Sequence, residues 1–250
     1  MRVIVNGAAG AMGKHVIDAL AAKGHAVAAA VDPAFEKNAA AAEYPCLPSL
    51  SDFKGTVDCL IDFSHHSATV PLLDWAVKNG VPVLLATTGQ TEDELLAVKA
   101  ASEKIPVFFS ANMSLGVAVL CSLVRRAAEA FPDADIEIVE THHNRKLDAP
   151  SGTALALAGA IKSVREDANL VLGRNGRQKR EKRDVGISSV RLGNVVGIHE
   201  VMISTGSETL TLKHEAHSRA VFADGAVLAA EFLSGKPAGL YTMEDLKEKK

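Results

Sequence analysis

The chain lacks most of what would mark a specialised environment. Its three cysteines, Cys46, Cys59 and Cys121, are odd in number and have no metal-type spacing. Cys59 lies in the apolar run VDCLI and reads as a small buried hydrophobe. No apolar run approaches the roughly 18 residues of a membrane helix. The first residues, MRVIVNGAAG, pass from strand pattern straight into a glycine loop, which leaves no room for a signal peptide. A cytoplasmic protein is expected, with no membrane partner. Net charge is only −3, and the one biased segment, GRNGRQKREKR at 173–183, has no interleaved aromatic residue. No nucleic-acid partner is expected from these features, and the basic run reads as a solvated loop. Internal repeats are absent as well.

What is present is an ordinary globular composition, 48% hydrophobic and 23% charged over 250 residues. The first half alternates between strand and helix patterns. RVIVN, HAVAAAVD, TVDCLIDFS, VPVLLATTG and IPVFFSAN read as strands. AMGKHVIDALAAKG, SATVPLLDWAVKNG and TEDELLAVKAASEK read as helices, the last with Thr91 and Glu94 at capping-box spacing. Residues 33–55 read as irregular. Near-continuous apolar strands between helices imply a mostly parallel sheet covered on both faces. After residue 113 the pattern changes. A helix (SLGVAVLCSLVRRAAEAF), a strand (ADIEIVETHH) and a helix at 151–166 precede three successive strands, VGISSVRL, VVGIHEVMIS and ETLTLKHEAH. Short turns between them predict antiparallel pairing. The fold class expected is therefore α/β: a Rossmann-like dinucleotide-binding domain, joined to an α+β domain on a mixed, largely antiparallel sheet.

Gly7, Gly10 and Gly13 follow the first strand and open the first helix, as G-x-x-G-x-x-G. Glycines there allow a tight turn and let a pyrophosphate approach the free N–H groups of the helix N-terminus. Asp32 ends the second strand, where it can accept from an adenosine ribose hydroxyl. That favours NADH, while Lys14 at the helix start can reach a 2′-phosphate, so NADH and NADPH both stay open. Thr87, Thr88 and Gly89 stand at the C-terminal end of a parallel strand, where such sheets bind ligands; a plain turn explains Thr87 and Thr88 equally well.

Residues 140–154, ETHHNRKLDAPSGTA, concentrate the chemistry of the second half. Alternation puts Glu140 and His142 on one strand face and His143 on the other. Ser151 can cap a helix that begins with Gly152 and Thr153, whose N–H groups make an anion site. Lys146 offers a second positive group. Two anion-binding elements beside a histidine that titrates near neutrality suggest a small dicarboxylate and a proton transfer. A third metal ligand is missing at sensible spacing, so no metal is expected. His143 and Asp148 have an alternative role, satisfying buried backbone groups.

This stretch, E-x-HH-x-x-K-x-DAPSGTA, resembles the signature of the dihydrodipicolinate reductase family of lysine biosynthesis. NGAAGAMG, IDFS at 61–64, TTG at 87–89, SANMSLGV at 110–117, SVRLGNVVGIHEV, LKHEAHSR and GLYTMEDL resemble its other landmarks in order. The resemblance implies reduction of a cyclic imine dicarboxylate by NADH or NADPH. It implies His142 as proton donor, Lys146 and His143 at a substrate carboxylate, and Gly152 and Thr153 holding the other. Cofactor contacts would come from Gly7, Ala8, Ala9, Gly10, Ala11, Met12 and Gly13, with Asp32, Phe63, Ala86, Thr87, Thr88 and Gly89. Ser110, Asn112 and Met113, in a hinge-like segment, and Arg219 would complete them. It further implies domains at 1–113 with 218–250 and at 114–217, and a homotetramer built on the second domain's sheet. Departures from the family pattern are His66 for proline, Ala86 for glycine, Met113 for phenylalanine, Ile198 for an acid, and Pro33 where some members carry arginine. Two other readings compete: another amino-acid dehydrogenase, such as one acting on aspartate, and a non-catalytic NADH sensor.

Overall fold

The computed structural model describes residues 1–35 and 43–247. Parts of the irregular segment 33–55 and of the polar C-terminal tail lie outside the described residues. The chain divides into two compact units, Met1–Ser114 with Arg219–Lys250, and Leu115–Ser218.

The first unit opens with β1 (Arg2–Asn6), α1 (Ala11–Ala22), β2 (Ala26–Val31), a short β3 (Cys46–Leu47) and β4 (Cys59–Asp62). Then come α2 (Thr69–Asn79), β5 (Val83–Leu85), α3 (Glu92–Ser102) and β6 (Pro106–Phe109). Each helix end is local chemistry. Gly80 closes α2 in the left-handed region that only glycine enters without strain. Both halves of the Thr91–Glu94 capping box open α3. The strands are β-branched and apolar because both faces are covered: Ile4, Leu60, Val83, Leu85 and Val107 are buried with Leu72 and Leu73 of α2 and Val98 of α3.

The second unit holds α4 (Leu115–Ala130), β7 (Asp135–His142), α5 (Gly152–Lys162), β8 (Asn169–Leu172), β9 (Asp184–Arg191), β10 (Gly197–Ser204) and β11 (Thr209–Ala216). Its sheet order is β11-β10-β7-β9-β8. The chain then returns to the first unit as α6 (Ala220–Leu233), β12 (Gly239–Tyr241) and α7 (Met243–Lys247). β12 pairs parallel with β6, giving the first sheet the order β12-β6-β5-β4-β1-β2-β3. β1 thus lies between β4 and β2, the strand-order switch at which such sheets bind ligands beyond their carboxyl ends.

The second sheet corrects one expectation. β10 is antiparallel to β11 and to β7, but β9 is parallel to β7 and β8 parallel to β9. The sheet is evenly mixed, and β9 does not pair with β10: β7 lies between them. The basic run is exposed apart from Arg180, and two of its arginines also fasten it to the sheet. Arg180 bonds Glu137 and the carbonyls of Ile136 and Asp184, and Arg174 bonds Asp184, tying the β8–β9 connection to β7.

Candidate active site

In the first unit the glycine loop is held by backbone contacts. The amides of Gly7 and Ala8 donate to the Val31 carbonyl at 2.9 and 3.2 Å. Gly7 sits at φ +76°, and a side chain there would lie 2.6 Å from the Phe63 carbonyl oxygen. A Cβ on Gly13 would overlap the Gly7 oxygen and stand 2.5 Å from Ala8 Cα. Gly10 caps α1 with no side-chain bond, so the helix N-terminus carries no capping oxygen of its own. These features fit a dinucleotide: a tight loop of bare backbone before an uncapped helix start. Asp32 fits the ribose position. Its Oδ2 accepts from Ala9 N at 3.1 Å and its Oδ1 from Ala34 N at 2.9 Å, which fixes the carboxylate beside the loop.

The other first-unit candidates gather at the same strand ends, with different duties. Thr87 is buried and donates its hydroxyl to Asp62 Oδ2 at 2.6 Å. Asp62, fully buried, also accepts from Asn6 at 2.8 Å and from the Ser64 hydroxyl at 2.6 Å, so it knots the ends of β1, β4 and β5 together. Gly89, at φ +89°, and His66 are neighbours; His66 Nδ1 bonds the Glu94 carboxylate, joining that turn to the cap of α3. Ser110 and Asn112 brace their own turn: the Ser110 hydroxyl donates to Asn112 O, and Asn112 Oδ1 accepts from Ser114 N. Met113 is buried, with its carbonyl pressed against Gly225 of α6. Arg219 is exposed at the start of α6.

In the second unit, the strand face expected to carry Glu140 and His142 does so. His142 Nδ1 meets Glu140 Oε2 at 2.5 Å. Glu140 has no exposed surface and is held by further partners, among them the Ser189 side chain opposite it on β9. Arg191 forks onto both oxygens at 2.9 Å each, and Ser151 N donates to Oε1 at 3.2 Å. Burial alone would raise this carboxyl. The hydrogen bonds from Arg191 and His142 outweigh it and hold the group at about 2. Ser151 caps α5, its hydroxyl accepting from Ala154 N at 3.2 Å and meeting His199 Nε2 at 3.0 Å. His199 lies edge-on to His142, with ring centres 5.1 Å apart. Its own burial, with His142 second, pushes its pKa down to about 4, so it is neutral near pH 7.

The turn after β7 supplies the remaining groups. Asn144 N bonds Gly193 O and Lys146 N bonds His143 O, which places the half-buried His143 and Lys146 on one tight turn. Lys146 Nζ pairs with Asp148 at 2.8 Å. Asp148 is therefore an exposed ion-pair partner rather than a buried backbone acceptor, its carboxyl lowered chiefly by that lysine. Gly152 and Thr153 form the first residues of α5; a Cβ on Gly152 would meet nothing within 4 Å. Among the described residues, no three or more His, Cys, Asp or Glu converge as a metal site, and no helix is long and apolar enough to cross a membrane.

Residues 1–113 match the family model described as dihydrodipicolinate reductase, N-terminus, and residues 116–246 match its C-terminus. The chain belongs to the dihydrodipicolinate reductase family. It is an NAD(P)H-dependent oxidoreductase of lysine and diaminopimelate biosynthesis. The 4-hydroxy-tetrahydrodipicolinate reductase of Caldanaerobacter subterraneus subsp. tengcongensis is 47% identical over 100% of this chain and 99% of its own. That of Clostridium novyi is 40% identical over 100% and 99%. A dipicolinate-bound dihydrodipicolinate reductase from Paenisporosarcina sp. TG-14 shares the fold, with TM-score 0.81 over 97% of each chain at 24% identity. An aspartate dehydrogenase from Thermotoga maritima shares it more distantly, with TM-score 0.52 over 95% of this chain and 98% of its own at 16% identity. Against that family background, Glu140, Arg191 and His199 surround the signature histidine with no role read for them in the sequence, and Ser151, read there only as a helix cap, joins them. Only their place inside the quoted stretches ETHHNRKLDAPSGTA and SVRLGNVVGIHEV pointed to them.

Proposed function

We propose that this member of the family reduces the cyclic imine formed from 4-hydroxy-tetrahydrodipicolinate to tetrahydrodipicolinate, with His142 as the proton donor. The observation that carries this reading is the imidazole fixed by Glu140 beside the Ser151-capped start of α5. A bound NADH or NADPH supplies the hydride. The loop from Gly7 to Gly13, through Ala8, Ala9, Ala11 and Met12, would hold its pyrophosphate, and Asp32 its ribose. The backbone around Phe63, Ala86–Gly89, Ser110–Met113 and Arg219 would line the rest.

In the second unit each group has a distinct task. The Gly152 and Thr153 amides face one substrate carboxylate at the positive end of α5. Lys146 exchanges its partly exposed Asp148 partner, a pairing worth about 0–1 kcal/mol, for the other carboxylate. His143 stands beside it. When hydride adds to the conjugated ring, the resulting enamine takes its proton from His142 Nε2, leaving a neutral imidazole that solvent recharges. Lys146→Ala is expected to raise KM for substrate at least tenfold with a smaller loss of kcat, because it removes binding shared by ground and transition states. Steady-state kinetics check this; an unchanged KM would remove Lys146 from the carboxylate site.

The assembly inferred is a homotetramer through the second sheet. α4 and α5 pack on one of its faces. Its other face presents Val139, Val190, Ile198 and Met202, with Val190 and Ile198 flanking Thr141. Equilibrium sedimentation as a monomer would contradict this. A cytoplasmic location suits the free thiols of Cys46, Cys59 and Cys121.

A further inference from the structure

The catalytic reading leaves a buried ion pair unexplained. Glu140 and Arg191 lie 51 residues apart, on β7 and β9, and meet in a two-pronged bond inside the second unit. Taking a carboxylate fully out of water is costly, and well-packed apolar residues often do the same structural work at no loss. The pair is more informative for what else it touches.

The geometry points to Glu140, braced by Arg191, as the positioning residue that sets the orientation and tautomer of His142. Arg191 donates to both carboxylate oxygens and Ser151 N donates to one. Neither of these can accept a proton, and with the Ser189 side chain also bonding it the group is held at about 2, so Glu140 stays an anion and can only accept. At His142 the proton of the short bond therefore sits on Nδ1. Nε2 becomes the working nitrogen. Across the sheet, Gly197 keeps that side clear: a Cβ there would stand 3.2 Å from Nε2. Arg191 is itself anchored, donating to the Asp148 carbonyl at 2.6 Å and the Val190 carbonyl at 2.8 Å. Ser151 closes the arrangement. Its amide reaches Glu140 while its hydroxyl caps α5, so one residue ties the orientation of the proton donor to the proposed carboxylate anchor.

The charged and titratable groups around His142 are Glu140 on its own strand and Arg191 on β9. His199 stands on β10, with His214 opposite it on β11, and His143, Lys146 and Asp148 follow in the turn. Only Glu140 touches Nδ1 as an anion. Replacing Glu140 by glutamine therefore removes the one anionic acceptor that holds the Nδ1 proton and the ring orientation of His142, a loss that falls on kcat rather than KM.

This inference rests on His142 being the proton donor, and the test separates the two. Wild type, Glu140→Gln, Arg191→Lys, His142→Gln and the two double variants with His142→Gln are compared in steady-state NADH oxidation, with kcat and KM resolved. Glu140→Gln is expected to lower kcat about 100-fold or more, with KM changed less than about threefold. Arg191→Lys keeps the charge but loses the fork. It is expected to cost about tenfold in kcat, and it carries the test if Glu140→Gln does not fold. In the His142→Gln background both losses vanish, because the residues act through the imidazole. Equal losses with and without His142 would overturn the positioning role, as would a loss that falls on KM instead of kcat. A His142→Gln variant with full kcat would instead overturn the proton-donor assignment beneath it.

Discussion

His142→Gln lowers kcat by about 100- to 10,000-fold, the contribution usual for a positioned general acid, while NADH binding stays at the wild-type level. Glutamine fills much of the same space and can still donate to Glu140, so the buried carboxylate keeps a partner. What it lacks is a ring N–H that can be given up to the enamine. The loss should therefore fall on kcat. The cofactor candidates belong to the other unit, which predicts unchanged binding of NADH by fluorescence titration. A variant that kept kcat within about threefold of wild type would show that the proton comes from elsewhere.

Gly13→Ala is expected to act in the opposite way. The added methyl would overlap the Gly7 oxygen and approach Ala8 Cα, both backbone atoms with no rotamer to yield. The loop must move, at about 1–3 kcal/mol of stability for the overpacking. Moving it also displaces the amides that face the pyrophosphate. NADH affinity should drop at least tenfold, with a lower melting temperature for the first unit, while the chemistry around His142 keeps its geometry. Gly152→Ala is the matched control, since its methyl meets nothing within 4 Å and should leave the melting temperature unchanged. Wild-type melting and NADH affinity in Gly13→Ala would mean that the loop does not depend on this close approach.

The local features of the fold were legible in the sequence because their causes are local. The capping box at Thr91 and Glu94, the glycine stop at Gly80 and the serine cap at Ser151 each follow from residues within one turn. The pairing of β9 misled for an equally physical reason. A five-residue connection, 192–196, suggests neighbouring antiparallel strands, yet here it spans the end of β7, about two strand spacings or 10 Å. Bonds from Leu192 N to His142 O and from Asn144 N to Gly193 O hold it there. No periodicity encodes that crossing. The pairing of Arg174 and Arg180 was hidden likewise, because their acidic partner Glu137 on β7 lies some 40 residues away in the chain. The same distance hid Arg191 from the site. The histidines, lysine and helix cap form one contiguous motif, whereas the brace on Glu140 exists only after β7 and β9 have paired.

The most direct test is turnover itself: oxidation of NADH and of NADPH, followed by absorbance of the reduced nicotinamide, with 4-hydroxy-tetrahydrodipicolinate generated in situ. The expected result is rapid oxidation with at least one of the two cofactors, strictly dependent on the substrate and lost in His142→Gln. Tight NADH binding without substrate-dependent oxidation would contradict the proposed reaction, and the Glu140–His142–Lys146 arrangement would then need a different substrate.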